Sequence, residues 1–305
     1  MAPVQIEMVD PLIRAFHDAT LPSRDERREN LSNILTQCAN FAECGTTKPR
    51  SELKVCSKCK LAKYCSQTCQ KSHWRSGHKV QCTPPGDGSR ESLPLKLAER
   101  VLAVPVLVDK LLHCSILTLD LLNDPSNSER AVVKLNCTVL GADVQAHMQR
   151  VFAGLPRDEG AEVCLSIAQI KRAPMEEADE KTRAAVADMR ARLGEQITAD
   201  RPMVTFWFVS EEDDRFESAD DDEKPESESQ KAKRLDQWFS SSMLLPAGAI
   251  AYMATKPSEL VRSAVMGNQL VPISESYLRE SINNTIRLDT KNKLRLRAYP
   301  TVARK

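Results

Sequence analysis

Seven of the chain's ten cysteines lie between positions 38 and 82. They are Cys38, Cys44, Cys56, Cys59, Cys65, Cys69 and Cys82, and with His78 they form four short pairs: Cys38/Cys44, Cys56/Cys59, Cys65/Cys69 and His78/Cys82. Thiols this dense answer either to disulfides or to metal. The N-terminus, MAPVQIEMVD, has no basic segment followed by an apolar run, so no secretory signal is read from it. The expectation is therefore an intracellular, reducing compartment, where clustered cysteines bind metal. KAKR at 231–234 is too short to direct nuclear import, so nucleus and cytoplasm both stay open.

Eight ligands suit two tetrahedral zinc ions. Cys56-x2-Cys59 lets a tight turn aim two sulfurs at one ion about 2.3 Å away, and Cys65/Cys69 and His78/Cys82 are i,i+4 pairs that share a helix face. Cys38/Cys44 is the loosest pair. Doubling a loop costs only about 0.6 kcal/mol, against roughly 10 to 16 kcal/mol from a structural zinc, so the longer gap does not threaten the site. His73 follows Cys69 by four residues and rivals His78, but only His78 pairs closely with Cys82. With every position filled by protein, neither ion keeps an open site for water or substrate, and the expected role is structural. Spacing leaves open which pairs share an ion.

The run CSKCKLAKYCSQTCQKSHWRSGHKVQC, with its "YC", its "CQK", Trp74 and the "HK" before the last cysteine, resembles the MYND zinc finger over about 45 residues. The resemblance implies interleaved pairs: Cys38, Cys44, Cys65 and Cys69 on one zinc, and Cys56, Cys59, His78 and Cys82 on the other. It also implies that Ser57, Gln70 and Trp74 bind a proline- and leucine-containing peptide. If SQTCQKSHW is helical, Gln70 and Trp74 share a face, and an indole beside an amide suits an extended proline-rich backbone. The competing role for Trp74 is to cap the finger's small interior. Two departures from the commonest pattern, the five-residue first gap and the extra Gly77 before His78, are expected to lengthen loops.

The fold class expected is α+β, a small two-zinc MYND finger beside a larger mixed α/β domain. The divisions are a helical segment 1–36, the finger 37–83, a linker 84–92 that separates finger from core, and an α+β domain 93–305. In the first, Leu12, Ile13, Phe16, Leu31 and Ile34 offer apolar faces around a break at TLPSRD. Leu95–Leu122 reads as a buried helix broken at Pro105. Strands are expected around Val133–Val139, Val163–Ile167 and Val204–Phe208 from period-two alternation. The charged segment 175–196 reads as a solvated helix, Ser274 as the N-cap of a helix carrying Ile282 and Ile286, and KLRLRAY as a last strand. INNTIRLDTKNKLRLR is similar to the tail of fungal proteins that carry this finger, which implies no activity.

Lys and Arg total 43 against 42 Asp and Glu, so no global field names a polyanionic partner. The finger itself is basic, but three or four thiolates on a zinc leave a net negative charge that nearby cations offset. With Tyr64 and Trp74 as its only stacking candidates, nucleic acid is the weaker reading. No membrane span is expected: Val104–Leu122 carries Asp109, Lys110, His113 and Asp120, and charges at a bilayer centre cost about 2.5 to 3.5 kcal/mol each. Nothing in the sequence sets an oligomeric state.

Cys114, Cys137 and Cys164 show no metal spacing, and His113 and His147 have no visible partner. No G-x-G-x-x-G, phosphate-binding loop or G-x-S-x-G occurs. The expected function is thus a non-enzymatic, zinc-binding adaptor. A lysine methyltransferase of the split SET type is the first alternative, but the 37 residues before Cys38 are too few, and neither an Asn-His pair nor a cysteine beyond Cys164 occurs. A DNA-binding regulator is the second, and would show strongly salt-dependent affinity.

Residues 211–231, EEDDRFESADDDEKPESESQK, carry mostly like charge and almost no apolar surface. Such a segment cannot offset its ordering entropy by burial, and an acidic disordered loop of about 211–232 is expected. Limited proteolysis of the intact chain should cut there first. A protease that spares this stretch while cutting elsewhere contradicts the reading.

Overall fold

A computed structural model describes residues 11–60, 62–82, 93–143, 161–210, 238–255, 260–263 and 269–299, with a few positions between 146 and 155. The expected linker at 84–92, the acidic stretch at 211–232 and His147 lie outside the described residues.

Helices α1 (Pro11–Thr20) and α2 (Arg24–Asn33) flank the break expected at TLPSRD. Ser23 closes it: its hydroxyl accepts from Glu26 N–H while its own N–H donates to the Glu26 carboxylate, a reciprocal capping box. Leu21 and Ile34 pack on the main core, and His17 Nε2 lies 2.9 Å from the Thr285 carbonyl. The chain then enters the finger through β1 (Leu35–Gln37), which pairs antiparallel with β2 (Thr47–Pro49) across a short helix α3 (Phe41–Cys44). A second two-stranded ladder, β3 (Lys54–Val55) with β4 (Lys63–Tyr64), leads into α4 (Gln67–His73).

Beyond the finger, α5 (Leu93–Val101) and α6 (Pro105–Thr118) meet at 93°. Pro105 opens α6, where its fixed φ suits the first turn and its missing N–H costs nothing. Leu97, Val101, Val104, Leu107 and Leu111 of this corner are buried. Among the described residues no single helix is long and apolar enough to cross a membrane. After α7 (Asn127–Arg130) come β5 (Ala131–Gly141), β6 (Val163–Pro174), α8 (Glu180–Leu193), β7 (Met203–Ser210) and β8 (Trp238–Leu244). They are followed by α9 (Ala249–Ala254), a small ladder of β9 (Leu260–Ser263) and β10 (Gln269–Pro272), α10 (Glu275–Leu288) and β11 (Arg297–Ala298). The main sheet has the order β11-β6-β5-β7-β8, with β5 and β7 parallel and the other neighbours antiparallel.

One sheet face carries the core. Val133, Leu135, Leu165, Phe206 and Phe208 pack under α5, α6 and α10, whose Leu97, Leu111, Ile282 and Ile286 are buried with them. The three alternating segments read from the sequence are the three central strands. Two other expectations need correction. Segment 175–196 is not a freely solvated helix: α8 buries Thr182, Val186 and Met189, the last two against Met203. KLRLRAY is not a full strand, because Asn292 (φ 50°) and Arg295 (φ 60°) leave the extended region, and only Arg297–Ala298 pairs while Leu294 and Leu296 turn inward.

The finger also contacts the core directly. Glu99 on α5 receives Arg50 Nη1 at 2.6 Å and Lys63 Nζ at 2.7 Å, both from the finger. Burial would raise the Glu99 carboxyl, but Lys63 and Arg50 outweigh it and hold the group below the usual carboxylate range. From the other side, Thr47 donates to Asp188 of α8 at 3.1 Å, and Arg192 donates to the Thr47 carbonyl at 3.2 Å.

Beyond its two-residue pairing with β11, the outer edge of β6 is sealed largely by side chains. The register against β5 slips between Asn136 and Cys137, leaving Ala168 as an unpaired bulge residue. Beside it, the Ile167 N–H donates to Asn283 Oδ1 at 2.8 Å, and Asn283 Nδ2 donates to the Ile167 carbonyl at 3.0 Å. Arg279 takes the Ala168 carbonyl at 2.7 Å, and Leu165 N–H reaches the Leu296 carbonyl at 3.0 Å. The buried Asn283→Ala variant strands two backbone groups at once, so it should lower unfolding free energy by about 2 to 4 kcal/mol. Denaturant titration of the zinc-loaded chain measures this, and a loss below about 1 kcal/mol would contradict the assignment.

Candidate metal centres

The eight expected ligands converge as two groups of four. Cys38, Cys44, Cys65 and Cys69 form one and Cys56, Cys59, His78 and Cys82 the other, with the donor atoms of each group within 4.8 Å of one another. A tetrahedral zinc with sulfurs about 2.3 Å away sets them about 3.8 Å apart, and brings a sulfur and an imidazole nitrogen to about 3.6 Å. Cys56 Sγ and Cys82 Sγ are 3.8 Å apart, Cys59 Sγ and His78 Nε2 3.6 Å, Cys44 Sγ and Cys65 Sγ 3.9 Å, and Cys65 Sγ and Cys69 Sγ 3.4 Å. The donor sets and their edges therefore fit two zinc ions.

Local backbone choices deliver these atoms. Lys60 adopts a left-handed conformation (φ 58°) that closes the Cys56-x2-Cys59 knuckle, with Lys60 N–H on the Cys56 carbonyl at 3.0 Å. Gly45, also left-handed (φ 56°), ends α3 and returns the chain after Cys44. Ser66 caps α4 by accepting from Cys69 N–H, which fixes the Cys65/Cys69 clamp at the helix start. The extra Gly77 does not lengthen a loop. Trp74–His78 carry i,i+5 bonding, but Gly77 (φ 157°, ψ −26°) leaves helical geometry, so two helical segments meet there at a kink and His78 still reaches Cys59.

The second group is buried at all four ligands, whereas Cys44 and Cys65 of the first are half-exposed. Metal-free, these thiols conflict. Burial pushes Cys38 up to about 12 and, with help from Cys56 and Cys59, Cys82 up to about 11. At Cys56 and Cys65 hydrogen bonds overcome burial and bring the thiols down to about 6 and about 7. A dication at each centre lets all the thiolates form together. Among the described residues these are the two groups able to hold a metal.

His73 does not ligate. Its Nδ1 lies 3.1 Å from Tyr64 Oη and its ring stacks on His78 at 5.2 Å, so it braces the true ligand. Gln70 and Trp74 are joined by the Trp74 N–H to Gln70 carbonyl bond, and both are half-buried. Trp74 packs edge-on to His78 and against the cysteine cluster, while Lys58 Nζ stands 5.9 Å over its ring. Ser57 is exposed on the knuckle. In the core, Cys114, Cys137 and Cys164 are buried without forming a cluster. His113, read as lacking a partner, has two: Asp109 at 3.4 Å and the Tyr252 ring at 5.8 Å, contacts that sequence spacing could have found only for Asp109.

Elemental analysis of the purified chain should return two zinc ions, and chelation should unfold residues 38–82, whose interior is chiefly ligands, while the sheet core stays largely folded. One zinc per chain, or loss of the core's circular dichroism with the metal, would contradict this.

Among protein families, the MYND finger matches residues 38–82. The chain is 38% identical over 73 residues to ubiquitin carboxyl-terminal hydrolase 19 of Arabidopsis thaliana, covering 24% of this chain and 10% of that protein. It is 41% identical over 58 residues to the F-box protein At5g50450 of Arabidopsis thaliana, covering 19% and 17%. Against ubiquitin C-terminal hydrolase 15 of Oryza sativa subsp. japonica it is 45% identical over 42 residues, covering 14% and 4%. The chain thus spans less than a fifth of the length of each of these relatives. No solved structure matches. MYND fingers are protein–protein interaction modules, and this chain carries one, with two four-ligand zinc sites, at residues 38–82.

Proposed function

We propose that the chain is a non-enzymatic, intracellular adaptor whose finger binds an extended, proline-containing peptide of a partner protein along Ser57, Gln70 and Trp74. The observation that carries the reading is the Lys58–Trp74 contact at 5.9 Å, which sets the Cys56–Cys59 knuckle beside the Gln70/Trp74 helix face. The half-buried indole is thus shared by the knuckle and that helix face. An extended proline-rich segment lays its rings on such an indole and offers its carbonyls to the Gln70 amide, losing little entropy because its backbone is preformed. All eight metal ligands come from the protein, so the metals serve to hold this surface and not to activate water. The relatives also support a portable module: the shared segment is a small part both of ubiquitin carboxyl-terminal hydrolase 19 and of an F-box protein.

Trp74 packs on the metal cluster, so truncating it disturbs both binding and folding; Gln70 separates the two. Titration of the zinc-loaded chain with a proline- and leucine-containing peptide should show Gln70→Ala binding at least about fivefold more weakly, roughly 1 kcal/mol, with zinc content and melting unchanged. Wild-type affinity in folded Gln70→Ala and Trp74→Ala proteins would overturn this surface.

A further inference from the structure

Although the chain's formal net charge is only +1, six arginines meet at one cavity of about 420 Å³ between α2, the end of α5 and the C-terminal tail. Arg24, Arg27 and Arg28 come from α2, Arg100 from the end of α5, and Arg295 and Arg297 from the C-terminal tail. Leu31, Ala103 and Leu294 supply its small apolar part. Like charges drawn from three separate segments repel, and the surroundings neutralise them only in part, with Glu99 acting on Arg100. Arg297 is paired with Glu162 at 3.4 Å, and Arg28 meets Asp25 only at 4.0 Å with both side chains mostly exposed. Arg100 spends its Nη1 on the Arg295 carbonyl.

Asp289 is the carboxylate that acts on Arg27, yet its two oxygens already accept the Lys293 and Leu294 N–H groups at 2.7 and 2.6 Å. Among the described residues no carboxylate bonds to Arg24, Arg27 or Arg295, and the buried Nε atoms of Arg27 and Arg297 lack hydrogen-bond partners. Burial, together with Arg295, Arg24 and Arg28, pulls Arg27 below the usual guanidinium range. The tail that presents Arg295 is itself held in left-handed turns by reciprocal bonds between Asn292 and the Arg297 backbone at 3.1 Å.

We propose that this arginine cavity is a binding site for a compact ligand bearing several phosphate groups. Guanidinium forks match phosphate oxygens two at a time and stay charged at any physiological pH, which a lysine cluster does not do as well. The volume admits a small polyphosphorylated molecule. Binding removes the repulsion among the arginines, so it stabilises the joint between α2, α5 and the tail.

The test uses the full zinc-loaded chain at physiological ionic strength, titrated calorimetrically with inorganic tripolyphosphate, inositol hexakisphosphate and ATP as separate arms. The expected result is one-to-one binding and a raised melting temperature for at least one of them, the tightest arm identifying the scaffold that carries the phosphates. The double variant Arg24→Gln/Arg295→Gln, which alters two exposed side chains, should bind at least tenfold more weakly while keeping its zinc and its unliganded melting. Arg28→Gln serves as an independent second variant. Failure of all three ligands to bind, or equal affinity in folded variants, overturns the proposal. So does single-stranded RNA binding while the small phosphates do not, which makes the patch a nucleic-acid surface.

Discussion

Mutual repulsion among clustered thiolates, relieved only by a cation, is the constraint on which the finger depends. Its interior contains Cys38, Cys56, Cys59, Tyr64, Cys69 and Cys82, with Ala39, Ala62 and Trp74 packed around them. A set so poor in aliphatic side chains supplies little hydrophobic free energy, so zinc coordination takes the place that leucine and valine hold in the main core. Tyr64, wholly buried between the two centres, is the one large side chain common to both, and its hydroxyl fixes His73 against the ligand His78. The finger's backbone ladders are only two or three residues long and follow the metal geometry rather than create it.

The finger is also coupled to the domain that carries it. Glu99 collects two finger cations on one side, and the Thr47 contacts with Asp188 and Arg192 fix the other. These contacts rest on α5 and α8, which cover the sheet from their respective sides, so the sheet sets the direction in which the Gln70/Trp74 face points. An isolated finger would keep its ligands and lose that orientation.

What was legible in the sequence was whatever repeats locally. The metal ligands declare themselves by spacing, the Ser274 cap by the apolar pair Ile273 and Leu278 that flanks it, and the central strands by alternation. The interleaved pairing of the ligands came from family resemblance and is what the donor positions reproduce. Strand β8 escaped because the three serines of WFSSSML erase the apolar period; one of them, Ser242, instead meets Thr205 across the ladder at 2.8 Å. Helix α8 looked solvated because its buried stripe of Thr182, Val186 and Met189 is thin among charges. The Asn283 seal and the arginine cavity join residues more than 100 positions apart, and each residue taken alone is an ordinary polar side chain.

The kink within Trp74–His78 bears on how such fingers vary in length. Each residue added to an unbroken α-helix rotates everything after it by about 100° about the axis, enough to swing an imidazole off its metal. Here the added residue is taken up at the Gly77 kink, where one helical segment ends and the next begins, and His78 and Cys82 still face Cys56 and Cys59. Register along the helix is thus decoupled from register along the sequence. A search pattern that fixes the gap between the tryptophan and the histidine would pass over fingers like this one, whose coordination is intact.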